Sequence, residues 1–142
     1  MKKDNVRDYA TSAYRFYAIN GTSEEYIRKL SLDLEKQKGE GICNPTEAAL
    51  IHKERIMQEY VSEILDLEAA EKAMDRLSKD ERRAVQMVYM KDCNSDLEWG
   101  DMSIRVHYAE IHLPASQASI YRWLSRARSV FAIERGLRIE KY

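Results

Sequence analysis

Helix breakers are scarce in this chain: five glycines and two prolines among 142 residues. Few positions demand a positive φ or lack a backbone N–H, so little of the sequence is excluded from helix. Cysteine is equally sparse. Cys43 and Cys93 stand fifty residues apart without CxxC spacing, which disfavours a disulfide framework or zinc ribbon and leaves two free thiols. No apolar run approaches the roughly 18 residues of a membrane span, and Met1-Lys-Lys-Asp is followed by no apolar segment. The expectation is a cytoplasmic protein that does not enter a membrane. Catalytic signatures are missing too. There is no glycine-rich phosphate loop, no nucleophile motif and no H-E-x-x-H pair; His107 and His112, five apart, do not share a helical face. The sequence therefore predicts no enzyme, no metal and no cofactor.

What the chain does have is charge and helix formers. It is 44% hydrophobic and 33% charged, enough apolar residues for one domain with a real core or two small ones. The formal net charge of −1 conceals a split. From Ser103 onward there are seven Lys and Arg against three Asp and Glu; residues 1–102 hold sixteen basic against twenty-one acidic. A basic end on an acidic body fits docking of that end on a polyanion, and argues against coating of nucleic acid by the whole surface.

Apolar periodicity predicts the elements in order. Val6, Tyr9, Ala10, Ala13, Phe16 and Tyr17 recur at three- and four-residue spacing, a helix over about 4–19 closed by Asn20-Gly21. Thr22 or Ser23 caps a second helix to about Lys38, with Glu24 and Glu25 in its first turn. The pair is expected to form a hairpin that buries its tyrosines. Gly39–Asn44 reads as a linker, and Asn44-Pro45 with Glu47 as the start of a long helix without a breaker until about Arg76. Its stripe of Leu50, Met57, Tyr60, Val61, Ile64, Leu67 and Met74 would pack on the hairpin or against a second copy. Ser78 and Glu81 form a capping box for a helix over about 79–90. After a polar loop, Trp99 is expected to plug a small core. Asp101 would cap a helix to His112 whose apolar candidates are Ile104, Val106, Ala109, Ile111 and Leu113. A final helix is expected from Ser116 to Glu134, interrupted or ended by Gly136.

These elements divide at about residue 74: an N-terminal helical region (1–74) for partner contact or dimerisation, and a C-terminal tri-helical unit (75–142). The last helix of that unit carries Ile120, Leu124, Ala127 and Phe131 on one side and polar groups on the other. A short helix set behind a turn, apolar on one stripe and polar at its start, is how a helix-turn-helix presents side chains to the major groove. On that reading Gln117, Ala118, Ser119, Tyr121 and Arg122 face base edges. Gln suits adenine and Arg suits guanine, each with about 1–3 kcal/mol of discrimination. Arg105, Arg126 and Arg128 would clamp phosphates, with Ser116 at the helix start. The plainer alternative is a surface helix with Arg for solubility.

Leu77-Ser-Lys-Asp-Glu-Arg-Arg-Ala-Val85 followed by Ser116-Gln-Ala-Ser-Ile-Tyr-Arg-Trp-Leu-Ser-Arg-Ala127 resembles region four of bacterial sigma factors. The Ser-Ile-Tyr-Arg-Trp core and Ala127-Arg-x-x-Phe-Ala132 resemble more closely the ArpU/RinA-type late regulators of phages and prophages. The resemblance covers about residues 74–137. It implies a transcription activator that binds double-stranded DNA, with RNA polymerase and a second copy of the chain as further candidate partners. Two positions depart from the family pattern. Glu110 falls where a small alanine is usual, so that either the turn holds an extra residue and Ala109 does the packing or the helix pair is arranged differently; Pro114 stands where the turn usually has glycine. Two other readings remain open: a small-terminase-like DNA-packaging subunit and a helical adaptor that binds only protein.

Overall fold

A computed structural model describes residues 5–38, 45–95, 97–98 and 100–137, with 35–38 and 45–51 described in backbone only. The chain is all-α: seven α-helices and one π-helical turn, with no strand among the described residues. The helices are α1 (Asn5–Asn20), α2 (Ser23–Lys38), α3 (Pro45–Glu59), α4 (Val61–Arg76), α5 (Lys79–Val85), α6 (Asp101–His112) and α7 (Gln117–Arg135), and the π-helical turn spans Gln86–Met90.

Local chemistry accounts for most boundaries. Gly21 lies at φ +75°, where an L side chain is strained, and a Cβ there would stand 2.3 Å from Glu25 Oε2. Glu25 N donates to Thr22 Oγ1 at 3.3 Å, so Thr22 supplies the cap of α2. Ser78 and Glu81 make the expected capping box in both directions. Gly136, at φ +77°, closes α7 one residue beyond the expected Glu134. At α6 the expectation fails. The N-cap is Gly100 with no side-chain bond, and Asp101 instead accepts from Glu98 N at 2.7 Å, tying down the preceding loop. Trp99, Asn44 and Cys43 lie outside the described residues.

The long helix expected over 45–76 is interrupted at Tyr60 (φ −115°, ψ 29°). The break lets each piece follow its own partner. α3 packs chiefly on α2, whereas α4 packs on α7 and α1. Tyr60 turns toward Tyr26, ring centroids 6.3 Å apart. The apolar stripe drawn through this segment is correspondingly split: Ile64, Leu67 and Met74 are buried, but Met57 and Val61 are 48% and 52% exposed.

Two apolar clusters result among the described residues. The smaller gathers Tyr26, Ile56, Ile64 and Leu67, with Phe16, Leu30 and Tyr60 against it. The larger joins α1 (Ala10, Ala13, Tyr14), α4 (Ala69, Ala70, Ala73, Met74), α5 and the π turn (Ala84, Val85, Val88, Tyr89), α6 (Val106, Ala109) and α7 (Ile120, Leu124, Ala127, Val130, Phe131). Alanines on facing sides of α4 and α7 let these helices approach closely, and aromatic rings fill what remains. Tyr14 and Phe131 lie 5.7 Å apart between centroids, Tyr9 and Phe131 6.0 Å. The tyrosines of α1 and α2 are indeed largely covered, but Tyr14 and Tyr26 belong to different clusters. The larger cluster also crosses residue 74: α1 and α4 share it with α5, α6 and α7.

Polar bonds reinforce the same arrangement. Tyr14 donates its hydroxyl to Ala127 O at 2.7 Å. Tyr9 donates to Asp66 Oδ1 at 2.5 Å, and Arg135 Nε to the same oxygen at 2.7 Å, so one carboxylate holds α1, α4 and α7 together. Burial, and then the bond to Asp66, push the Tyr9 hydroxyl pKa up; the Asp66 bond also raises that of Arg135. Burial raises Tyr14 most, with neighbouring Tyr89 adding to it.

Candidate nucleic-acid interface

The first half of α7 presents an exposed, largely polar surface attached to this core. Four residues, Leu113-Pro-Ala-Ser116, separate it from α6. Leu113 is buried, and its N–H donates to Ala109 O at 2.7 Å, closing α6; Ala115 N donates back to Leu113 O at 2.7 Å. Pro114 is thus accommodated in a tight bend. Ala109 is fully buried and Glu110 beside it half-exposed, so Ala109 takes the packing position of α6. Ser116 Oγ then accepts from Ser119 N at 3.2 Å, capping α7.

Helical periodicity sorts the side chains that follow. Ile120, Leu124 and Ala127 point into the core, while Gln117, Ala118, Tyr121, Arg122, Ser125 and Arg126 are exposed. Ser119 is half-buried, and its hydroxyl lies 3.4 Å from Arg122 Nη2. Tyr121 keeps 44% of its surface in solvent. Gln117 Nε2 donates to Glu110 Oε2 at 2.9 Å, a bond between the first turn of α7 and the last turn of α6.

The four expected phosphate contacts separate into two pairs. Ser116 and Arg126 are at the surface. Arg126 Nε pairs with Glu81 Oε2 at 2.9 Å, while Glu81 Oε1 serves the capping box of α5. One acid thereby fixes the start of α5 and steers an arginine of α7. Arg105 and Arg128 are half-buried and engaged inside the protein. Arg105 donates to Val88 O at 3.0 Å and also to the carbonyls of Lys91 and Asp92. Arg128 Nη1 donates to the Tyr89 hydroxyl at 2.8 Å and borders a groove between α1 and α7. Carbonyls at a helix end lack intrahelical partners, and a guanidinium fork is well suited to collect several of them.

Sequence reasoning did not single out Arg15. This buried side chain on α1 donates to Tyr89 O at 2.9 Å and reaches the carbonyls of Asp92 and Ser95. Arg15 and Arg105 thus hold the end of the π-helical turn and the loop after it from two sides. No spacing rule marks such a residue, because its partners are backbone carbonyls about eighty positions away. In the sequence Glu110 stands out only as a departure from a family pattern; its bond to Gln117 needs the α6–α7 turn to exist.

α6 carries a second exposed feature. Val106, Ala109 and Leu113 are buried as expected, but Ile104 and Ile111, also expected in the core, are 70% and 67% exposed. With Tyr108 they form an apolar stripe on the outer side of α6. The Lys91 ammonium lies 3.2 Å from the centre of the Tyr108 ring. Such spacing at i, i+4 and i+7 satisfies the pattern rule for a buried face, yet the core accepts the opposite side of the helix.

Among the described residues, no group of three or more His, Cys, Asp or Glu is placed to hold a metal ion, and no helix is long and apolar enough to cross a membrane. Comparison with protein-family models, curated proteins and solved structures returns no match for this chain.

Proposed function

We propose that this chain is a sequence-specific DNA-binding transcriptional regulator, an activator of the phage and prophage type, that reads the major groove with the first half of α7. The observation that carries this reading is the exposed row Gln117, Ala118, Tyr121 and Arg122. It lies at the N-terminal turns of a helix whose opposite side is locked into the core. Helices of this kind reach base edges with their first turns. Gln117 and Arg122 supply bidentate contacts to adenine and guanine, Tyr121 and Ala118 supply apolar contact, and Ser119 orients Arg122.

Ser116 and Arg126 contact phosphates, which contribute affinity without sequence. Arg105 and Arg128 support this surface from behind: the carbonyls and hydroxyl they already bond leave them poorly placed to meet a phosphate. RNA polymerase and a second copy are the remaining candidate partners, for which the N-terminal region, with its negative charge concentrated in α4, offers surface. The chain needs no catalytic group for this task.

The test compares binding to a selected site and to random duplex. Gln117→Ala and Arg122→Ala should each weaken the selected site roughly 5- to 150-fold while random duplex changes little. Equal losses on both DNAs would remove base reading from the account. Arg126→Ala should weaken both equally and flatten the salt dependence by about one unit of slope. A protein-binding adaptor is the second reading, favoured by the stripe Ile104, Tyr108 and Ile111. An adaptor would show no low-salt affinity for random duplex.

A further inference from the structure

The contact between Gln117 and Glu110 has a chemical consequence that rests on the DNA-reading function proposed above. A glutamine amide carries two N–H donors on Nε2 and one acceptor, Oε1, and a half-turn about its last torsion exchanges them. An unrestrained Gln117 could present both donors to guanine, whose major-groove edge offers two acceptors, N7 and O6. Equally, it could present one donor and one acceptor to adenine, whose edge offers N7 as acceptor and the N6 amine as donor. The side chain is exposed on the first turn of α7, so burial does not choose between them.

Glu110 makes the choice. Its Oε2 accepts from Gln117 Nε2 at 2.9 Å, and His107 Nδ1, one turn back on α6, lies 3.7 Å from the same oxygen. An ionised carboxylate only accepts, so the flipped amide would set Oε1 against a negatively charged oxygen. The amide is held with Nε2 toward α6, and one of its two donors is consumed. What remains is a single N–H beside a free carbonyl oxygen, the complement of adenine. Guanine would meet one donor and, opposite its O6, a second acceptor.

We infer that Glu110 is a positioning residue that makes Gln117 select adenine over guanine. It acts through the amide and need not touch the base itself. The same carboxylate sits beside the face that approaches the DNA phosphates, so it lowers affinity for every duplex while it sharpens the choice of one base.

The experiment is selection of duplexes from a random pool by the full-length protein, by Gln117→Ala and by Glu110→Ala, followed by binding measurements on adenine and guanine versions of the site. Gln117→Ala identifies the base pair that Gln117 reads. At that position the wild type should prefer adenine roughly tenfold or more. Glu110→Ala should lose most of that preference, mainly by gaining affinity for guanine, while binding random duplex at least as tightly as the wild type. A merely structural role would instead weaken all sequences equally and leave the preference in place, which overturns the inference. So does a Glu110→Ala change at a different base pair, which would mean that Glu110 reads a base directly. If the wild type enriches no motif, the DNA-reading function falls and this inference with it. An enriched motif whose Gln117-dependent adenine survives Glu110→Ala sinks the inference alone.

Discussion

The two halves of α7 are built from similar amounts of arginine and alanine, yet they do opposite things. Ala127, Val130, Phe131 and Ala132 are all buried, and the second half is tied to α1 and α4 through the Tyr14–Ala127, Arg135–Asp66 and Arg76–Glu134 contacts. In the first half only Ile120 and Leu124 are buried; Trp123 packs half-buried against the same core, Arg126 reaches Glu81 of α5, Gln117 bonds Glu110 at the end of α6, and Ala118, Tyr121, Arg122 and Ser125 are exposed. A helix held this firmly at one end can present side chains at the other without a loop's uncertainty of position. The anchor also extends beyond the expected tri-helical unit, because α1 and α4 supply much of the surface on which α7 rests.

If the second half is the anchor, Phe131→Ala should cause the largest loss. Removing a fully buried ring that touches Tyr9 and Tyr14 should cost about 3–5 kcal/mol in denaturant unfolding. A loss under about 1 kcal/mol would mean that the helix is not held there. Asp66→Ala removes the acceptor shared by Tyr9 and Arg135 and should cost about 2 kcal/mol, measured the same way. An unchanged midpoint would show that the three-helix tie contributes nothing.

Tyr14→Phe deletes the bond to Ala127 O and should cost about 1 kcal/mol at neutral pH. Its pH dependence has a definite sign. Burial raises the hydroxyl pKa of Tyr14, Tyr9, Tyr17 and Tyr26 above the ordinary 10.0. Folding therefore favours the protonated phenols. Their contribution is complete below the unfolded value of 10.0 and is lost as pH rises beyond it, when the unfolded chain releases protons that the folded chain retains. The wild type should lose stability above pH 10, and the gap to Tyr14→Phe should narrow there. A gap that widens instead would reverse the assignment.

The smallest effects are expected on the presented surfaces. Arg122→Ala in α7 and Ile111→Gln in α6 should each change stability by about 0.5 kcal/mol or less, because both side chains are exposed. A cost above about 1 kcal/mol for Ile111→Gln would place that residue back in a core. For Arg122→Ala, the same cost would make it part of the anchor.

How far the sequence could be read depended on the range of the interaction. The Ser78–Glu81 box, the glycine stops at 21 and 136 and the buried stripe of α7 follow from residues within one or two turns of each other, and the structure has them. The break at Tyr60 left no breaker to read, because it arises from two pieces of a helix choosing different partners. For a related reason, Ile104 and Ile111 lie outside the core that their spacing predicts. Periodicity finds an apolar face but does not say which of two faces on α6 the core will take. At the candidate interface, the exposure of Gln117, Tyr121 and Arg122 was legible from the stripe behind them. The internal commitments of Arg105 and Arg128 were not.

The sequence by itself determined an all-α chain, most helix starts and stops, and which side of α7 turns inward, since these depend on propensity, caps and a 3.6-residue period. Only the tertiary structure decided that α1 and α4 complete the bed of α7, that Arg15 and Arg105 grip the loop after the π-helical turn, and that Glu110 meets Gln117. Each of these joins groups brought together by packing and chain reversal, and the free energy that selects them belongs to the assembled core rather than to any short segment.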